Sequence, residues 1–132
     1  MSISTRLAPP EKWGGRLYRG DWQAGAGGTQ SIIEKATGET LGEIGIAAPS
    51  DVAQAAEAAA QAQVSWASLP APARGDILRK FAAVFLDNVD ELAEWLIRET
   101  GSSRLKGRWE AQMASRVVME GAMLASQPIG LM

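Results

Sequence analysis

The sequence predicts a short antiparallel β-region followed by four α-helices, and three observations carry that prediction. Before about residue 48, apolar residues alternate in short runs separated by glycine, as in Thr40–Ala47. From Pro49 onward the apolar spacing changes from two residues to about 3.6, the helical period. Pro70, Pro72 and Gly101 then cut the second part into helix-sized pieces.

Residues 1–16, with Pro9-Pro10 and Gly14-Gly15, read as an irregular leader. The β-region covers residues 17–48. Leu17-Tyr18-Arg19 is extended, and Asp21-Trp22 leads into the loop Gly25-Ala26-Gly27-Gly28. Ser31–Ala36 is a second strand, and Thr37-Gly38-Glu39 is a turn whose glycine supplies positive φ. Thr40–Ala47 is a third. Together they make a hairpin or meander whose edge needs cover.

Helices are expected across residues 49–126. Ser50 is a plausible N-cap, and Asp51 suits the positive end of the helix dipole. Val52, Ala55, Ala56, Ala59, Ala62 and Trp66 share one face, so rich in alanine that backbones can approach closely. In the second helix Ile77, Leu78, Phe81, Val84, Phe85 and Leu86 form the buried stripe. Asp90 caps a third helix, with Leu92, Trp95 and Leu96 inward and Gly101 stopping it. The fourth runs from about Leu105 to about Ala125, carrying Leu105, Trp109, Met113 and Val117 at every fourth position, before Gln127-Pro128-Ile129-Gly130 breaks it.

Composition excludes much chemistry. The 132 residues include no Cys and no His. That removes disulfides, a thiol nucleophile, an imidazole base and any ordinary zinc or iron site. With 13 Lys+Arg against 15 Asp+Glu, the net charge of −2 argues against non-specific nucleic-acid binding. Met1–Arg6 lacks a secretory signal's apolar core, and Val52–Trp66 is too polar to span a bilayer, so the cytoplasm is expected.

The remaining motifs have plain readings beside sharp ones. The loop Gly25–Gly28 has Gln30 where a dinucleotide fingerprint needs its third glycine, and a strand rather than a helix follows. It reads as a flexible hairpin tip. Asp87, Asp90, Glu91 and Glu94 read as caps and solvated charges. Arg104, Lys106 and Arg108 beside Trp109 suit an exposed helix face. The Trp109–Met113–Val117 row reads first as core, since methionine fills irregular gaps. The other reading is a surface lining the path of an apolar ligand.

Several segments in order resemble the opening of an aldehyde dehydrogenase. Glu34-Lys35-Ala36-Thr37-Gly38-Glu39 is similar to the family's Asn-Pro-x-Thr-Gly-Glu turn, with Glu34 in place of the Asn. Ala47-Ala48-Pro49-Ser50-Asp51-Val52 follows, then Ala59 to Trp66, Pro70, Arg74, Ile77-Leu78-Arg79-Lys80 and Glu99-Thr100-Gly101. The resemblance covers about residues 17–126. Trp13-Gly14-Gly15, Asp21-Trp22, Arg104-x-Lys106-Gly107-x-Trp109-Glu110-Ala111 and Leu124-Ala125-Ser126-x-Pro128 are most similar to the benzaldehyde-type enzymes.

The resemblance implies an α/β parent fold, with residues 1–132 as the N-terminal part of its cofactor-binding domain. It implies oxidation of an aromatic aldehyde to a carboxylic acid with NAD or NADP, by a cytoplasmic homo-oligomer with no nucleic-acid or membrane partner. The catalytic thiolate, the oxyanion Asn of a Pro-Trp-Asn motif, the general-base Glu and the cofactor site are expected beyond Met132. This segment should therefore bind no cofactor and be inactive by itself. One functional surface carries over: Trp109 and Met113 match positions lining the aldehyde's access tunnel. Gly101-Ser102 follows Thr100 where members often place an acidic ligand for a monovalent cation, so no metal site is carried over. A chain cut here should leave the apolar faces around Trp66, Phe81, Trp95 and Trp109 uncovered. The alternative is a stand-alone helical module that docks a partner through the Trp109 row without enzymatic activity.

Overall fold

The computed structural model describes Leu7 and residues 9–127; the expected break at Pro128 lies outside them. A one-turn helix, α1 (Pro10–Trp13), precedes strands β1 (Arg16–Tyr18), β2 (Trp22–Ala24), β3 (Thr29–Ile33) and β4 (Thr40–Gly45). Four helices follow: α2 (Pro49–Ser68), α3 (Ala71–Asp87), α4 (Val89–Thr100) and α5 (Arg104–Leu124).

The strands form two separate antiparallel hairpins, β1–β2 and β3–β4, one strand more than the three expected. β2 was hidden in the sequence because its three residues are all exposed and show no alternation. The hairpins touch where the Gly15 N–H donates to the Glu43 carbonyl at 3.0 Å. α1 lies inside the expected leader, started by the fixed φ of Pro10 at its first position.

Helix boundaries fall within a residue or two of the sequence reading, but two caps differ. Ala48, not Ser50, is the N-cap of α2, with Pro49 in the first turn. Asp51 at N3 reaches back to accept the Ala48 N–H at 2.8 Å, the reciprocal half of a capping box. Asp90 does not cap α4. Asn88 precedes that helix, and its side-chain amide donates back to the Val84 carbonyl at the end of α3. Gly101 ends α4 in the left-handed region at φ +75°, and its N–H donates to the Ile97 carbonyl, as the sequence indicates.

The core of the helical layer is made of small residues. Gly75, Ala82, Ala93, Gly107, Ala111, Ser115 and Ala122 are buried where α5 packs on α3 and α4. A Cβ at Gly107 would stand 3.0 Å from the Ala93 carbonyl oxygen, and one at Gly75 would stand 3.2 Å from that of Ala122. The Ser115 hydroxyl donates to the Ala82 carbonyl at 2.9 Å across the seam. The stripe expected on α3 is only partly inward. Leu78 and Phe85 are half-buried, whereas Ile77, Phe81, Val84 and Leu86 are exposed because the helices meet on Gly75 and Ala82.

α2 is the least covered helix. Asp51 is its one buried residue, and Val52, Ala56, Ala59 and Ala62 of the expected inward face are exposed. No helix among the described residues is long and apolar enough to cross a membrane.

The seam makes opposite predictions for two glycines of α5. Gly107→Leu should force the helices apart and destabilise the fold by about 1–3 kcal/mol in denaturant unfolding. At Gly121, where an added Cβ meets nothing within 4 Å, Gly121→Ala should instead stabilise by about 0.5–1 kcal/mol through helix propensity.

Candidate functional site

The position of the α5 apolar row follows from helix geometry. Residues 107, 111 and 115 repeat every fourth position, as do 105, 109, 113 and 117. Two residues of offset turn the second row about 200° around the axis from the first. With the small row buried, the large row must face away. Leu105 is 83% exposed, Trp109 57% and Val117 62%; Met113 is half-buried. The core reading of this row is thus corrected: glycine, alanine and serine occupy the interior, and Trp109 stands on a free surface.

The basic set around Trp109 is not a single cationic patch. Lys106 pairs with Glu110 one turn on, and Arg108 pairs with Asp90 of α4. Of the acids at the helix junction, Glu91 accepts the Leu7 N–H at 3.0 Å. No cluster of three or more potential metal-ligating side chains occurs among the described residues.

The glycine loop is a tied connector between the two hairpins, not a free hairpin tip. The Gly27 N–H donates to the Ile46 carbonyl at 2.9 Å, and the Ile46 N–H donates to the Gly28 carbonyl at 2.8 Å. The Ala26 N–H donates to Asp51 Oδ2 at 2.8 Å. A Cβ at Gly25 would collide with the Ile46 carbonyl, so the loop is glycine-rich to lie against β4's exit. Two of its amides already have acceptors, one of them Asp51 in the first turn of α2.

Two ionic junctions join the hairpins to the helices, and both were missed in the sequence because their members are far apart. Asp51, with its side chain 4% exposed, takes the Arg19 guanidinium at 2.6 Å in addition to the Ala26 and Ala48 amides. Arg19 also donates to Gln54 Oε1 and Gln23 Oε1, each at 2.6 Å. Glu34 opens the β3–β4 turn, and Arg98 grips it with two bonds, Nε to Oε1 at 2.9 Å and Nη2 to Oε2 at 2.8 Å. The Lys35 N–H donates to the Arg98 carbonyl at 2.9 Å, joining the same two elements through the main chain. Glu34 thus gives this hairpin a charged tether to α4.

These contacts lower both carboxyl pKa values. Hydrogen bonding from Arg98 is the main cause at Glu34, and the Ala48 and Ala26 amides are the main cause at Asp51. Arg98 is raised in turn by its bonds to Glu34. Because the folded values lie below the unfolded ones, the stabilisation is complete above the ordinary carboxylate range. It is lost as pH falls through that range toward each lowered value. Thermal melts from neutral pH into this acidic range should show the native chain losing stability faster than Glu34→Gln. The gap between the two melting temperatures should shrink at the acid end.

The aldehyde dehydrogenase family profile matches residues 22–130. A vanillin dehydrogenase from an Amycolatopsis species is 42% identical over 120 residues, covering 91% of this chain and 25% of that protein. The NAD-linked benzaldehyde dehydrogenase of Pseudomonas putida is 37% identical over 118 residues, covering 89% of this chain and 24% of its own length. The crystal structure of an NAD-dependent benzaldehyde dehydrogenase from Corynebacterium glutamicum superposes with a TM-score of 0.81 at 28% identity, over 95% of this chain and 28% of that one. The chain spans about a quarter of the length of these relatives. Its fold is the N-terminal part of theirs, and it belongs to the aldehyde dehydrogenase family.

Proposed function

We propose that residues 1–132 are the N-terminal segment of the cofactor-binding domain of an NAD(P)-dependent enzyme that oxidises aromatic aldehydes to carboxylic acids. The observation that carries this reading is the ordered likeness over nearly the whole chain to vanillin and benzaldehyde dehydrogenases. Likeness of that extent favours the enzyme segment over an independent docking module. The same reading makes the complete protein a cytoplasmic homo-oligomer whose partner is its aldehyde, not a nucleic acid or a membrane.

The residues described do not fit a nucleotide site. The one glycine-rich loop has its Ala26 and Gly27 amides bonded within the fold. We therefore assign cofactor binding and the covalent chemistry to residues outside this segment, which has neither Cys nor His.

What this segment supplies is a wall. Trp109 and Met113 lie one turn apart on α5, and the small-residue seam fixes the helix that bears them. An aromatic aldehyde passing this wall gains offset stacking from the indole and contact with the polarizable thioether. That interaction orients the ring without entering the bond changes, so it acts on binding more than on turnover.

Two measurements test the proposal. In the full-length enzyme, Trp109→Ala should raise KM for benzaldehyde about two- to tenfold, with a smaller change for a short aliphatic aldehyde. An unchanged KM ratio would remove Trp109 from the path. The 132-residue chain alone, given benzaldehyde and NAD, should form no NADH; turnover would overturn the assignment of the chemistry elsewhere.

A further inference from the structure

Away from the Trp109 row, α1, the hairpins and α4 line a second feature: an open cavity of about 240 Å³ bordered by Trp13, Trp22, Ile32, Ile44, Trp95 and Glu99. The β3–β4 register builds its floor. Gln30 pairs with Ile44 and Ile32 with Gly42, so Ile32 and Ile44 are diagonal neighbours on one face. Opposite Ile32 the strand carries Gly42, and a Cβ there would come within 2.9 Å of the Trp13 ring. The glycine is the seat on which that indole lies.

Trp13 and Trp95 meet edge to face, with centroids 5.7 Å apart and planes at 78°. Trp22, from the other hairpin, is 43% exposed and is held edge-on against Tyr18 at 5.4 Å. Three of the chain's five tryptophans therefore line one small cavity, with an exposed carboxylate, Glu99, as its one charged lining group.

From this geometry we propose that the cavity is a binding site for a small organic cation bearing a methylated ammonium head. Indole faces are electron-rich and attract such a head, whose methyl groups also suit the isoleucine floor. The Glu99 carboxylate adds attraction for a cation and repels an anion. The size agrees: about 240 Å³ is below the usual range for drug-sized ligands and admits a compact head group. This site shares no residue with the proposed aldehyde wall, so either assignment stands without the other.

Equilibrium dialysis of the protein against labelled choline tests it, with two unlabelled competitors. Tetramethylammonium should displace the label, whereas 3,3-dimethylbutan-1-ol, the neutral isostere of choline, should be at least about tenfold weaker. Glu99→Gln, at an exposed position, should weaken retention several-fold, and Trp22→Leu should do the same. Trp109→Ala should leave retention unchanged. Absence of saturable retention, equal displacement by the neutral isostere, or full retention in Glu99→Gln would each overturn the proposal.

Discussion

Close approach of α5 to α3 and α4 governs the rest of this structure. Helices usually pack with axes about 8–10 Å apart, the distance depending on the side chains at the contact. Here those side chains are Gly75, Ala82, Ala93, Gly107, Ala111 and Ala122, so little side-chain volume separates the backbones. The consequence is a core with little hydrophobic area per residue and much surface complementarity. Large apolar groups have no room in it. Ile77, Phe81, Leu105 and Trp109 are outside because the seam is narrow, not because the helices are badly formed.

Polar bonds join the β-hairpins to the helices beside the apolar residues gathered around Trp95. Asp51 and Glu34 do this at different places. Asp51 gathers the end of β1, the glycine loop and the first turn of α2. Glu34 ties the tip of the β3–β4 hairpin to the last turn of α4. Both carboxylates have little solvent access and several donors: removing Asp51 takes an acceptor from Arg19 and two backbone amides, and removing Glu34 takes one from Arg98 and the Thr37 hydroxyl. Surface ion pairs such as Arg79–Asp76 lack that consequence, because water replaces a lost partner at small cost.

Helix order and helix ends were legible in the sequence because they depend on neighbours within a turn. Pro70, Pro72 and Gly101 act through their own φ angles and missing groups: the structure breaks at Pro70 and Gly101, and Pro72 sits in the first turn of α3. The inward faces were less legible. A reading that ranks residues by hydrophobicity assigns Trp109, Met113 and Val117 to the core, whereas close packing selects for smallness, and Gly107 and Ser115 score poorly on any apolar scale. The signal was present as the four-residue spacing of Gly107, Ala111 and Ser115. Contacts between distant residues left no local trace. Arg19 with Asp51, Glu34 with Arg98, and Trp13 with Trp95 are pairings that only the folded chain brings together.

The two apolar surfaces that result differ in kind, and the difference bears on what each can do. The α5 row is convex: its residues project from a helix, and a lone ring resting on Trp109 would keep its other face in water. Such a surface becomes selective only when a facing wall turns it into one side of a channel. The tryptophan cavity is concave already, with two indole planes nearly perpendicular and a hairpin floor beneath them. It needs no facing wall to surround a compact guest. In the roles proposed for them, the row is one component of a larger site, while the cavity takes its guest with residues of this segment.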